Sequence, residues 1–274
     1  MRVLVACLLV LLPLRLWAQP ELTNCQSAWD GFARFVSGWE PTDIGAAPVQ
    51  PADDQWCEVD LAGLNVSGVS ATGAAFKIRA ETEGARSVTV KINALEIKGL
   101  RYEVSADLSH ALSAGTLRLN QLSVRGDDGR GVRAQGDILA TDFDSVASAQ
   151  SALAGARLTA VNVQFVVTPA LLAALDVDLS TVTRTKVTDA LRDVTQSQLS
   201  NGSRQEFLRF AGATPQARGT LDVSLTAPEG LGALQVMASL SPLQHAGFAL
   251  ESSEAWEQIF TGIMVKIVWN PGRM

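Results

Sequence analysis

Two pairs of aspartates have a spacing that could do chemistry: Asp142 with Asp144, and Asp176 with Asp178. Two carboxyls held in different environments can act as acid and base, as in glycoside hydrolysis. Each pair also has a plainer reading. In DFDSVASA the second aspartate or Ser145 fits a helix cap, and in LDVDLS the acids flank a loop. The two histidines, His110 and His245, sit next to expected turns, where an imidazole is expected to be solvated rather than a ligand. The turn GDDGRG, 126 to 131, brings Asp127 and Asp128, but a calcium loop needs more oxygen ligands at regular spacing. The sequence has no H-E-x-x-H, no G-x-S-x-G, no phosphate-binding loop and no second cysteine pair for zinc. The expectation is therefore a protein that is not an enzyme, with no catalytic residue, no cofactor and no metal site.

One covalent bond is legible. MRVLVACLLVLLPLRLWAQPE opens with a basic Arg2, continues with an apolar run from Val3 to Leu14, and offers Ala18 to a signal peptidase. The run is about 12 residues, against roughly 20 for a membrane span. We read residues 1–18 as a secretory signal peptide; the alternative is a retained N-terminal anchor. No later apolar run is long enough to cross a bilayer. Cys7 leaves with the signal, so Cys25 and Cys57 remain, and an exported protein with an even pair usually joins them. That disulfide would stabilise the fold by roughly 3 to 4 kcal/mol in the chain-entropy model. The expected location is periplasmic or secreted. The formal net charge is −6, and losing Arg2 and Arg15 makes it more negative. Nucleic acid is not an expected partner, because binding it requires clustered positive charge.

The elements follow from periodicity. Residues 19–57 form a disulfide-linked cap, in which Trp29, Phe32, Val36 and Trp39 recur at three and four along one helix face that Gly38 and Pro41 end. From 58 to 274 the chain reads as a β-rich domain. VDLAGLNV (59–66), LEIKGLRY (95–102), LRLNQLSV (117–124) and ARLTAVNV (156–163) share one template: apolar, x, apolar, x, x, apolar, x, apolar. One residue too many sits between the apolar pairs. A β-bulge near Gly63, Gly99, Gln121 and Ala160 would return both pairs to one face; the alternative is that the strand ends there and its neighbour begins. The intervening positions are mostly polar, so one face of the sheet is wet and the pairing antiparallel.

A helical segment, about 169–212, interrupts the strands. Thr168 and Pro169 start it, Val187, Leu191, Val194 and Leu199 mark an amphipathic helix, and Ser203 with Glu206 fits a capping box ahead of a stop at Gly212. GTLDVSL and GALQVMASL, joined by APEG, predict a hairpin; a helix near SEAWEQIF and a strand at IMVKIVW follow. The fold class is α+β, mainly antiparallel β, with bulged strands, a helical segment packed on the sheet and a small N-terminal cap.

The four templates, together with VRAQGDI and GTLDVSLTAPEGLGALQV, resemble the AsmA-like and TamB-like proteins of the Gram-negative envelope. The resemblance implies an elongated, twisted sheet whose apolar side contacts acyl chains. The ligand face would comprise Leu95, Ile97, Leu100, Tyr102, Leu117, Leu119, Leu122 and Val124, and the expected partner is a lipid or an envelope protein. The competing structural reading is that these side chains are core, covered by the helices of 169–212. The alternative function is a protein-interaction or scaffold module of the envelope without a small-molecule ligand.

Overall fold

A computed structural model describes residues 24–37, 44–62, 65–66, 69–80, 85–97, 99–111, 115–139, 155–174, 184–232 and 261–272. The expected signal peptide, both aspartate pairs, Gly63, Trp39, His245 and the helix near SEAWEQIF lie outside these residues. The chain divides into two compact units, Met1–Asp127 with Ala140–Gly155, and Asp128–Leu139 with Ala156–Met274.

The first unit holds helix α1 (Cys25–Ser37) and strands β1 (Val49–Pro51), β2 (Cys57–Asp60), β3 (Asn65–Val66), β4 (Val69–Ser70), β5 (Gly73–Ala80), β6 (Ala85–Ile97), β7 (Leu100–Ala111) and β8 (Thr116–Gly126). The sheet order is β1-β2-β5-β6-β7-β8, with antiparallel neighbours. Alternation decides its two faces. On β7, Val104, Ala106, Leu108 and His110 are buried, whereas Ser105, Asp107 and Ser109 between them are not. Val88, Val90 and Ile92 of β6, and Ala74 and Phe76 of β5, sit opposite one another in register and are buried too. Such alternation belongs to a sheet with one solvated face.

His110 corrects an expectation. It is 2% exposed inside β7, opposite Leu117 and Arg86, because the even phase of that strand carries it onto the apolar face.

Helix α1 covers the β1–β5 end of that face. Asn24 Oδ1 accepts from the Ser27 N–H at 2.9 Å and so caps the helix, which ends at Ser37, ahead of Gly38. Trp29, 2% exposed, stacks on Phe76 with ring centroids 6.4 Å apart. The Cys25–Cys57 disulfide, with Cα atoms 5.4 Å apart, ties the first residue of α1 to the first of β2.

The second unit holds β9 (Gly131–Leu139), β10 (Arg157–Val167), helices α2 (Pro169–Ala174), α3 (Arg184–Ala190) and α4 (Asn201–Ala213), and β11 (Gly219–Gly232) and β12 (Met264–Pro271). Its strands run antiparallel in the order β9-β10-β11-β12. Val167, Leu221, Ile267 and Trp269 form one core with Leu172, Val187, Leu191, Val194, Leu199 and Leu208 of the helical segment. Phe210 of α4 meets Trp269 edge-on at 5.1 Å.

Three expectations are revised in this unit. The amphipathic run from Val187 to Leu199 is not one helix: α3 stops at Ala190, and Arg204 of α4 donates to the carbonyls of Leu191 and Val194. A guanidinium supplies there what a further helical turn would have supplied. The cap of α4 is Ser200, whose Oγ accepts from the Ser203 N–H at 3.2 Å. Ser203 and Glu206 instead turn to β12, accepting from the N–H groups of Ile267 at 3.1 Å and Trp269 at 3.4 Å. Finally, APEG makes no hairpin. It lies within β11, where Thr226 pairs with Ala160 and Leu231 with Leu158, so Ala227–Gly230 fall out of register while β10 runs past.

Candidate functional site

The candidate site is the expected ligand face, and backbone register assembles it. Ile97 pairs with Leu100 and Leu95 with Tyr102 across β6 and β7. On β8, Leu117 lies opposite His110, Leu119 opposite Leu108, Leu122 opposite Ala106 and Val124 opposite Val104. Directly paired residues share a face. All eight side chains therefore project to one side of the sheet, together with the even residues of β7.

The phase change has a definite location in β8. Leu119 and Gln121 face Leu108 and Asp107, which are consecutive on β7, so Asn120 is an extra residue on β8. Without that shift in register Leu122 and Val124 would point to the polar side. In β10 the register shifts in the same way, since Leu158 and Ala160 face Ile138 and Asp137. The copy at 95–102 is different and corrects the expected bulge at Gly99: Leu95 and Ile97 end β6, Leu100 and Tyr102 open β7, and Gly99 turns the chain at φ +74. The copy at 59–66 is divided between β2 and β3.

A further copy was hidden by the overlap with LEIKGLRY. VKINALEI, residues 90–97, fits the template letter for letter. The register of β6 shifts within it, from Ile92 opposite Val104 to Leu95 opposite Tyr102, with Ala94 at φ +51. This shift keeps Val90, Ile92, Leu95 and Ile97 on one face.

Burial divides the eight residues. Leu95 and Leu117 are core, 3% and 1% exposed. Ile97, Leu100, Tyr102, Leu119, Leu122 and Val124 are half-buried. The opposite face is polar: Arg125 Nη2 donates to Glu103 Oε2 at 2.8 Å, and Ser109 Oγ donates to Asn120 Oδ1 at 3.2 Å. The apolar face offers contact with hydrocarbon. Among the described residues no group of three or more His, Cys, Asp or Glu side chains is placed to hold a metal ion. Among them, too, no helix is long and apolar enough to cross a membrane. Compared with known proteins, the chain matches no family model, no curated protein and no solved structure.

Proposed function

We propose that this chain is a non-enzymatic exported envelope protein that binds an apolar ligand, a lipid, along the half-buried part of the β6–β8 face. The observation carrying this reading is that Ile97, Leu100, Tyr102, Leu119, Leu122 and Val124 share one face and none of them is fully buried. Grouped apolar side chains that keep contact with water mark surfaces that bind. The disulfide supports export, since such bonds persist in oxidising compartments such as the periplasm or the extracellular medium. An elongated, twisted sheet with bulged strands, as in the AsmA-like and TamB-like proteins, belongs to the same reading, with residues 1–18 as the cleaved signal.

The second reading, a protein-interaction or scaffold module, draws on Leu139 and Met264, which are 47% and 48% exposed. A partner protein would cover them.

Ile97→Asn and Leu119→Asn separate lipid binding from simple core packing. On an open face, each change costs less than about 1 kcal/mol in thermal unfolding, because the new amide stays hydrated, and each weakens binding of a fluorescent fatty acid. A loss of roughly 1 to 3 kcal/mol in both, in a parent that binds no fatty acid, would assign the face to the core and end the lipid reading.

A further inference from the structure

A concavity lies at the other end of the first unit, where the start of α1 meets β1, β2 and β5. It measures about 560 Å³, within the range of roughly 300 to 1,000 Å³ common for small-molecule sites. Its floor is Val49, Phe76 and Ile78, closed on one side by the Cys25–Cys57 disulfide. Its rim carries three carboxamides, Asn24, Gln26 and Gln55, with Trp56 beside them. In the rows of the sheet between this cleft and β8, Val88, Val90, Ala106 and Leu108 are all buried, so it is a separate site from the β6–β8 face.

The rim has hydrogen-bonding capacity to spare. Asn24 spends its Oδ1 on the Ser27 N–H, which leaves its amide donors. Gln26 donates Nε2 to Asp30 at 2.8 Å, which leaves its Oε1 as an acceptor. Gln55 is held at the edge by an unusual backbone: it and Asp54 both adopt left-handed angles, φ 63 and 56. Two consecutive non-glycine residues in that region are strained, and such strain gathers where a ligand is clamped.

None of the described lining side chains is ionisable. A charged ligand would leave water for a wall with no counter-charge, which costs far more than moving a hydroxyl to an amide. We propose that this cleft binds an uncharged amphiphile, its alkyl chain on Val49, Phe76 and Ile78 and its hydroxylated head at Asn24, Gln26 and Gln55.

The test is calorimetric titration of the disulfide-bonded protein with n-octyl β-D-glucopyranoside below its micellar concentration, and with octyl sulfate as the charged counterpart. The expected result is saturable binding of the glucoside at one site, with the sulfate weaker by about tenfold or more. Ile78→Trp, which fills the floor, should abolish binding, while Leu122→Asn, at the β6–β8 end of the sheet, should leave it intact. Should Ile78→Trp fail to fold, Gln55→Gly decides. Glycine accepts the left-handed angle, so the melting temperature holds or rises, yet binding falls about threefold to tenfold through the lost amide. No saturable binding, equal affinity for both amphiphiles, or unchanged affinity in folded Ile78→Trp or in Gln55→Gly would overturn the proposal. Loss in Leu122→Asn but not in Ile78→Trp would move the ligand to the β6–β8 face and leave the proposed function standing.

Discussion

Ser203 shows how much one hydroxyl can hold. Its oxygen is buried between α4 and β12, receiving the Ile267 N–H while Glu206 receives the Trp269 N–H one pair further along. The Gln198 carbonyl takes the Val265 N–H at 2.7 Å. Three successive outward amides of β12 are thereby satisfied, and an edge left open would invite pairing with another chain. Ser203→Ala should cost about 1 to 3 kcal/mol in chemical denaturation and speed hydrogen exchange at the Ile267 amide, since a buried donor loses its acceptor. Both residues stood out in the sequence as acceptors at capping-box spacing. Which N–H groups they serve could not be read there, because a helix start and a sheet edge present the same unsatisfied donors. Burial on the ligand face makes a second residue-scale prediction. Leu117→Ala, at a fully buried position, should destabilise by about 2 to 5 kcal/mol, and Leu122→Ala by clearly less. Equal losses in thermal unfolding would mean that β8 is core along its whole length.

At the scale of the element, β8 carries one residue more than the strand it pairs with. Deleting Asn120 restores strict alternation and keeps Leu122 and Val124 on the apolar face, so it should change stability by no more than about 1 kcal/mol, the value of the side-chain hydrogen bond lost with it. Asn120→Ser keeps the count and should cost only about 1 kcal/mol, the value of a side-chain hydrogen bond. Comparing the two denaturation midpoints isolates the extra residue from its side chain. The template itself was legible because a break in period-two spacing is written in the letters. Its meaning was not: LEIKGLRY bends back on itself through Gly99, whereas LRLNQLSV continues as one strand, and only the pairing partner distinguishes them. The same limit hid the fate of APEG, whose turn residues fall out of register within β11 because β10 runs beside both of its halves. Helix α1 was readable from local spacing, and so was the covalent tie. Removing that tie by Cys57→Ser should cost roughly 3 to 4 kcal/mol, measured against the oxidised parent and matched by adding reductant to it.

Across the molecule each unit solves the same problem, a sheet with one apolar face, by its own means. In the second unit α3 and α4 cover the β11 and β12 end, and the far side carries a cross-strand polar ladder in which Gln164 joins Arg133 to Asp222 and Asp222 accepts from Asn270. In the first unit α1 covers the β1–β5 end, while the outer residues of β6, β7 and β8 keep part of their apolar surface in water. Composition and alternation announced the apolar face; how completely it is covered depends on tertiary packing and has no signature in spacing. The central claim, that this remaining surface takes a lipid, is tested most directly by mass spectrometry of organic extracts from the exported protein purified without detergent. The account predicts co-purifying lipid in the parent and its depletion in a Leu119→Asn/Leu122→Asn variant that keeps its melting temperature. A parent free of lipid, or a folded variant carrying as much lipid as the parent, would contradict it.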